Sequence, residues 1–466
     1  MWALPPKPVL AFTAASVAFS ILSKIFGFYY VMVFLDFYHI DNSWFQFAQV
    51  LFMIWNTLND PLFAYIQDNS RLPFVKTRRH AILYSGPLFG LVFLVPWFPW
   101  EAMGTGSWVT GLHLIAALCL YDTMYTFVGL AQSCLFAEIS KNHEDRVQLL
   151  RWSKLGAFSA SLALYLCEFS SASLKYFGYF QLSCVCLAVI SSLLYKYAGT
   201  HAKTQYDTEA EHESDTARST ESIWLLTWQI LKSRNFLCFV TVNFCHIFHG
   251  TFLGSFLPII AQNLAPPEVV PPTARRALYG VKDIFPSLLV IFGASMITDI
   301  GYYKLIRLNF ILKITFGFVL YLFGINHPWL LLLIMIVDGG LGSATFSMFS
   351  MALSDIAEED KMKYHRRLPI TSMVFGTNAV IVKSVYSLSP MVVVAVLNMY
   401  KYTQFKQDPT SLSPQEITSL KSAMFYLVCF IPMVVGTIQL FAWSQYTLSE
   451  THKVRPKTVK FNKRFL

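Results

Sequence analysis

The sequence predicts an all-α integral membrane protein, twelve transmembrane helices arranged as two halves of six. Three observations carry this. Hydrophobic residues make up 55% of the 466-residue chain and charged residues only 14%, where a soluble domain carries about a quarter charged. Apolar stretches of about 20 residues, the length that crosses a hydrocarbon core, recur from end to end. Lys and Arg collect in alternate loops. So little charge cannot cover a water-facing surface, which excludes a soluble fold.

The apolar runs place spans near 9–35, 44–67, 80–98, 107–137, 153–172, 176–197, 236–261, 281–298, 305–324, 328–354, 370–397 and 420–444. The first, Val9 to Leu35, is too long for a signal-peptide core and lacks a small-residue cleavage site, so it reads as a retained helix. Pro258, Pro286 and Pro432 fall inside spans, where neighbouring helices re-satisfy the freed carbonyls. Residues 200–222 are polar, with six acidic and two basic side chains, and cannot bury apolar surface. They divide the chain into an N-terminal half (1–199) and a C-terminal half (223–446), followed by a basic tail (447–466). Paired halves are the usual build of secondary transporters. In the segment 398–419, Ser413-Pro-Gln-Glu416 has the form of a capping box, and a short external helix is expected there.

Loop charge sets the orientation. With both termini cytoplasmic, only five of the 36 Lys and Arg (Lys175, Arg275, Arg276, Lys401 and Lys406) fall in outer loops. The net charge of +9 therefore reads as topology and not as nucleic-acid binding. The tail, from Lys453 to Arg464, fits the same bias, with anionic headgroups as a second use. The plasma membrane is the default location. All eight cysteines fall in apolar runs, so no disulfide framework is expected. No nucleophile–base pair or metal-ligand spacing occurs, so neither an enzyme nor a cofactor or metal is expected.

Ionisable groups at bilayer depth usually face the bundle interior or a water-filled cavity. Lys24, Asp60, Asp122, Lys154, Asp338 and Lys383 are of this kind, while Lys282 and Lys313, near span ends, read as snorkelling to an interface. In span two, Asn56 and Asp60 are one turn apart and Asn59 adjoins them. A carboxylate with amide oxygens is a hard-cation donor set. Lys24 and Asn56 each lie twelve residues from the outer end of their spans, about 18 Å deep. If spans one and two are neighbours, Lys24 pairs with Asp60 as a tethered cation. His246 and His249, three apart in span seven, read as packing residues because that span holds no carboxylate beside them.

Span two and its exit read Ile54-Trp-Asn-Thr-Leu-Asn-Asp-Pro-Leu-Phe-Ala-Tyr-Ile66, then Asp68-Asn-Ser-Arg71 and Lys76-Thr-Arg-Arg79. Span four continues from Tyr125-Thr126 to Glu138-Ile-Ser and Asp145-Arg146. Later come Asp299-Ile-Gly301 with Lys304 and Arg307, then Ser354-Asp355-Ile356, Arg366-Arg367 and Val380-Ile-Val-Lys383. In this order the blocks resemble the glycoside–pentoside–hexuronide:cation symporters, the melibiose-carrier-like family of the major facilitator superfamily. Within that family the likeness is greatest to a vertebrate group of transmembrane proteins with no assigned substrate.

The resemblance implies the major facilitator fold and a secondary transporter moving a small organic solute by alternating access. It implies a cation-like site at Asn56, Asn59, Asp60 and Thr126, with Asn56 standing where the family has a second carboxylate. It implies a substrate cavity at Ser20, Lys24, Gly129, Lys154 and Lys383, Ser20 and Gly129 replacing the two sugar-binding aspartates and Lys154 an arginine. It implies a cytoplasmic gate of Asp68, Arg78, Arg79, Asp299, Arg307, Asp355 and Arg366. The expected partners are the lipid bilayer, a small solute, and H⁺ or Na⁺. With the sugar carboxylates gone, two other readings stand beside sugar–cation symport. One is a carrier of an amphiphilic lipid such as a lysolipid. The other is a receptor or scaffold that keeps the transporter shape without transporting.

Overall fold

The structure, a computed structural model, describes residues 6–69, 72–101, 108–139, 143–171, 174–204 and 222–448. The linker at 200–222 and the basic tail lie almost wholly outside these residues, as does Arg71. Every described element is helical. The first six are α1 (Lys7–Met32, prolonged by a π-helical turn Val33–Phe37), α2 (Asn42–Asn69), α3 (Arg78–Leu94), α4 (Trp108–Ile139), α5 (His143–Ser171) and α6 (Phe177–His201). The remainder are α7 (Ile223–Leu231), α8 (Arg234–Leu264), α9 (Pro272–Phe292), α10 (Ala294–Ile300), α11 (Tyr302–Phe323), α12 (Pro328–Lys363), α13 (Thr371–Lys383), α14 (Val385–Asn398), α15 (Tyr402–Gln407) and α16 (Pro414–Ser444).

Helix ends run past the apolar spans for identifiable reasons. α5 begins well before its apolar stretch because Glu144 and Asp145 occupy its first turn, where carboxylates meet the positive end of the helix dipole. α9 begins early at Pro272, a residue suited to the first helical position. α7 was not legible as a span. Its nine residues are too short to cross, and they bury Leu226 and Ile230 while leaving Trp224 and Trp228 exposed. The capping box is real, and it starts the last long helix itself. Ser413 Oγ accepts from the Glu416 amide, and Glu416 Oε2 accepts from the Ser413 amide at 2.8 Å. The short helix of this segment is α15. Gly301, at φ +87°, separates α10 from α11, a backbone region that favours glycine.

Among the described residues, nine helical stretches are long and apolar enough to cross a membrane. Three other long helices, α2, α5 and α9, fall below that apolarity. They carry the amides and charges: Asn56, Asn59 and Asp60 on α2, Arg146, Arg151 and Lys154 on α5, Arg275 and Lys282 on α9. They are also helices at which the two halves meet, α2 against α13 and α5 against α9 and α10. Polar composition here marks an interface.

The packing of the second half repeats that of the first. α3 packs on α6 and α2 on α4; correspondingly α11 packs on α16 and α9 on α12. α1 lies against α4, α5 and α6, and α8 lies against α12, α13, α14 and α16. Small residues allow the close approaches: a side chain at Gly199 of α6 would meet Leu83 of α3, and one at Gly436 of α16 would meet Ile314 of α11. Large apolar side chains such as Leu91, Phe169, Leu193, Met391 and Phe441 stand exposed on the outside, an arrangement stable only in lipid.

Candidate functional site

A cavity of about 470 Å³ lies between the halves. One part of its wall is aromatic, with Phe12 and Phe19 of α1, Tyr125 and Phe136 of α4, and Phe346 and Phe349 of α12. The polar part holds Asp60, Thr126, Gln132, Lys154, Asn243, Asn378 and Lys383. Of the residues expected in the substrate cavity, Gly129, Lys154 and Lys383 line it, and Asp60 and Thr126 join them from the cation-like set.

Ser20 and Lys24 do not line it. Phe12 and Phe19, seven residues apart, point the same side of α1 at the cavity, and Ser20 is turned about 100° away. Lys24 faces α5, where Nζ donates to the Ala157 carbonyl at 3.3 Å. The expected Lys24–Asp60 pair is therefore corrected. α2 packs on α4 and α13 and not along α1, so the cation beside Asp60 comes from the other half. Lys383 Nζ lies 2.7 Å from Asp60 Oδ2 and donates to the Asn56 side-chain oxygen.

Around this pair, Asn59 donates to Asp122 of α4, and Trp55 Nε1 donates to Thr123 Oγ1 at 3.0 Å. Asp60 and Asp122 are both buried. Two carboxylates thus share the site, although only one was assigned to it from the sequence. Asp122 carries a signal that could have found it, an acid at bilayer depth one turn before Thr126. Its counterpart at position 56 is an amide that accepts from the lysine.

Lys154 is different. Among the described residues it makes no ion pair, although it stands on the cavity wall and is half-buried. A cation on the cavity wall with no carboxylate paired to it is a source of local positive potential.

Below the cavity, at the end of the bundle where α1 starts, the halves are locked together. Arg146, 1% exposed, donates from Nη1 to Asp355 Oδ1 at 2.7 Å and from Nη2 to Glu358 Oε1 at 2.8 Å. Tyr302 Oη donates to the other Asp355 oxygen at 2.5 Å. Asp68 accepts from the Ser372 and Met373 amides at 3.3 and 2.7 Å. It thereby caps the N-terminus of α13, where a carboxylate is favoured by both hydrogen bonding and the dipole. Arg78 holds Asp68 in place at 2.5 Å and also reaches Glu138 at 3.0 Å. His143 Nε2 lies 2.9 Å from the Ile297 carbonyl. Gly376 of α13 leaves no room for a side chain against Ala64 of α2.

Of the residues expected at the cytoplasmic gate, Asp68, Arg78 and Asp355 lie among these contacts. Arg366 pairs inside the second half, with Asp360 at 2.8 Å, because both lie at the exit of α12. Asp299 and Arg307 make no hydrogen bond or ion pair among the described residues, since α10 presents a backbone carbonyl, that of Ile297, to α5. Arg79 sits at the start of α3, its carbonyl against Gly199 of α6 within the first half. Arg146 and Glu358 make this contact without having been expected in it. Arg146 stood in a quoted motif, but sequence cannot say that it reaches α12.

A cavity between two sets of helices that pack alike, closed at one end by buried ion pairs, is the architecture of a major facilitator fold. The sequence profile described as MFS/sugar transport protein matches residues 11–444, and the chain belongs to that family. It is similar to Transmembrane protein 180 of Gallus gallus, 26% identical over 95% of this chain and 92% of that protein. Transmembrane protein 180 of Mus musculus is 27% identical over 98% of this chain and 95% of that protein. A solved bacterial homologue of the iron transporter ferroportin in an outward-facing state matches with a TM-score of 0.62 at 12% identity, covering 94% of this chain and 98% of its own. The same homologue with soaked iron matches at 0.60, also 12% identical, covering 95% and 100%. At that identity the likeness shows the fold alone. The family and fold are those of transporters, not of enzymes.

Proposed function

We propose that the chain is a secondary transporter with twelve spans and both termini cytoplasmic, moving a small organic solute that bears a negative charge on an apolar body. The observation that carries this is Lys154, an ammonium on the wall of the inter-half cavity with no acidic partner among the described residues. The aromatic wall supplies the surface for an apolar body. Neutral sugars are poorly served, because the positions that would hold sugar-binding carboxylates are Ser20 and Gly129. Na⁺ is also poorly served, since Lys383 already compensates Asp60. The closed end holds the inner-loop motifs, so the state described is the outward-facing one in this reading.

A second reading follows from the same aromatic wall: the body is an acyl chain and the solute a lysolipid. Thermal-shift measurements on the purified chain separate these. Organic anions with aromatic or acyl bodies are expected to raise the melting temperature, Lys154→Ala to abolish the rise, and neutral sugars and Na⁺ to have no effect. Stabilisation by a neutral sugar that survives Lys154→Ala would overturn the anion reading. Stabilisation by no solute at all, in a folded protein, would favour a receptor or scaffold.

A further inference from the structure

A second polar cluster lies inside the second half, away from the cavity site. His249 of α8 has Nε2 3.2 Å from Asp338 Oδ2 of α12, and both residues are buried. Lys313 of α11 is fully buried, donating to Gln439 Oε1 of α16 at 3.0 Å. Gln439 in turn donates to the Val242 carbonyl at 2.9 Å. Lys313 is thus no snorkelling residue, and His249 is not a simple packing residue, because its carboxylate comes from another helix.

The cluster connects to the cavity by steps along α8. Asn243, His246 and His249 succeed one another at three-residue spacing on α8, a run of about 9 Å. Asn243 lines the cavity and donates to Asn378. His246 packs on Phe346 and Phe349 of the cavity wall, with ring centroids 5.6 and 5.0 Å away. His246 Nδ1, His249 Nε2 and Asp338 Oδ1 are buried without a hydrogen-bond partner among the described residues. Buried polar atoms left without partners are costly, and all three belong to this histidine–carboxylate cluster.

We propose that His249 and Asp338 together carry a proton within the second half, and that this proton is the ion coupled to solute movement. This deepens the transporter reading and rests on it. The proton arrives from cavity water past Asn243 and His246, binds His249 Nε2 against the Asp338 carboxylate, and leaves by the same route when the cavity opens to the other side. Imidazole is the side chain whose ordinary titration lies nearest neutrality.

The charged or titratable neighbours are few. Asp338 comes from α12 and Lys313 from α11, while Cys245 and His246 are on α8 itself. α14 and α16 present Ser389, bonded to the Phe248 carbonyl, and Gln439. α13 presents Asn378, its Lys383 being engaged with Asp60; α7 packs its apolar Leu226 and Ile230 inward. A metal ion lacks a ligand set here, since no group of three or more His, Cys, Asp or Glu among the described residues could hold one.

The test needs no solute, so it fails or succeeds independently of the solute reading. The full chain is reconstituted on a solid-supported membrane and the displaced charge is recorded on a pH jump. The unmutated protein is expected to give a transient, and His249→Gln and the isosteric Asp338→Asn each to lose it, with folding checked by thermal unfolding. Absence of a transient in the unmutated protein overturns the proposal, even if neither variant folds. So does a transient that survives in both folded variants, or one that vanishes in Asp60→Asn and persists in His249→Gln, which assigns the proton to the first half.

Discussion

The two halves each bury a carboxylate centre, and they satisfy it differently. In the first half Asp60 and Asp122 sit on α2 and α4, and their cation, Lys383, reaches in from α13 of the second half. In the second half Asp338 faces His249, with Lys313 nearby, all three from helices of the same half. An ion pair split between two bodies is broken whenever those bodies rock apart, whereas one held inside a body travels with it. The first centre can therefore report on the state of the cavity, and the second can store a charge through the change of state. The latch below follows the first pattern, since Arg146, Asp355 and Glu358 also span the halves.

The largest expected effect comes from cutting the latch. Arg146→Ala leaves Asp355 and Glu358 without their cation, and the loss of stability should be about 3–5 kcal/mol, as for a broken buried pair. Cys134, buried against Ser372 across the same interface at 3.2 Å, should then label faster with a thiol reagent. Labelling at the unmutated rate would mean that the halves are held elsewhere.

Gly376→Leu tests the contact without touching charge. The added side chain must displace α2 at Ala64, an overpacking cost of about 1–3 kcal/mol. Cys134 labelling should rise here too, and an unchanged rate would show that α2 and α13 yield locally.

Lys383→Met and Asp60→Asn sharpen the contrast between the two centres. A double-mutant cycle on thermal stability should return a coupling of about 0.5–3 kcal/mol for this pair, and near-additivity for Lys383→Met with Asp338→Asn. Equal coupling in both cycles would make the two centres one network. The smallest effect lies outside the comparison. Ser413→Ala removes one side of the capping box and should cost about 1 kcal/mol, seen as faster amide exchange in the first turn of α16.

Where sequence reading succeeded and where it failed follows the range of the interaction. The capping box at Ser413–Glu416 was legible because it joins residues three apart, although it starts α16 and not the small helix expected there. Gly129, Lys154 and Lys383 were expected at the cavity from the family resemblance, and all three line it; counting along the helix had set only the depth of Lys24, Asn56 and Asp60. Lys24 failed for a definite reason: depth says how far down a side chain sits, not which way its helix is turned. Its neighbour Phe19 took the cavity face, and α1 packs on α5 instead of α2. Asp299 shows the same limit, being at the right level but on α10, which offers α5 the Ile297 carbonyl.

Composition and periodicity by themselves determined that the chain lives in lipid, that its elements are helices, and that charge gathers at helix ends. Those properties depend on local free energies of transfer and hydrogen bonding, which each segment carries alone. The tertiary structure decided which helices meet, and with that which lysine neutralises Asp60, which arginine closes the latch, and that Asp338 stands against His249. Each of these joins residues far apart in the chain, set by the packing of whole helices at close glycine contacts.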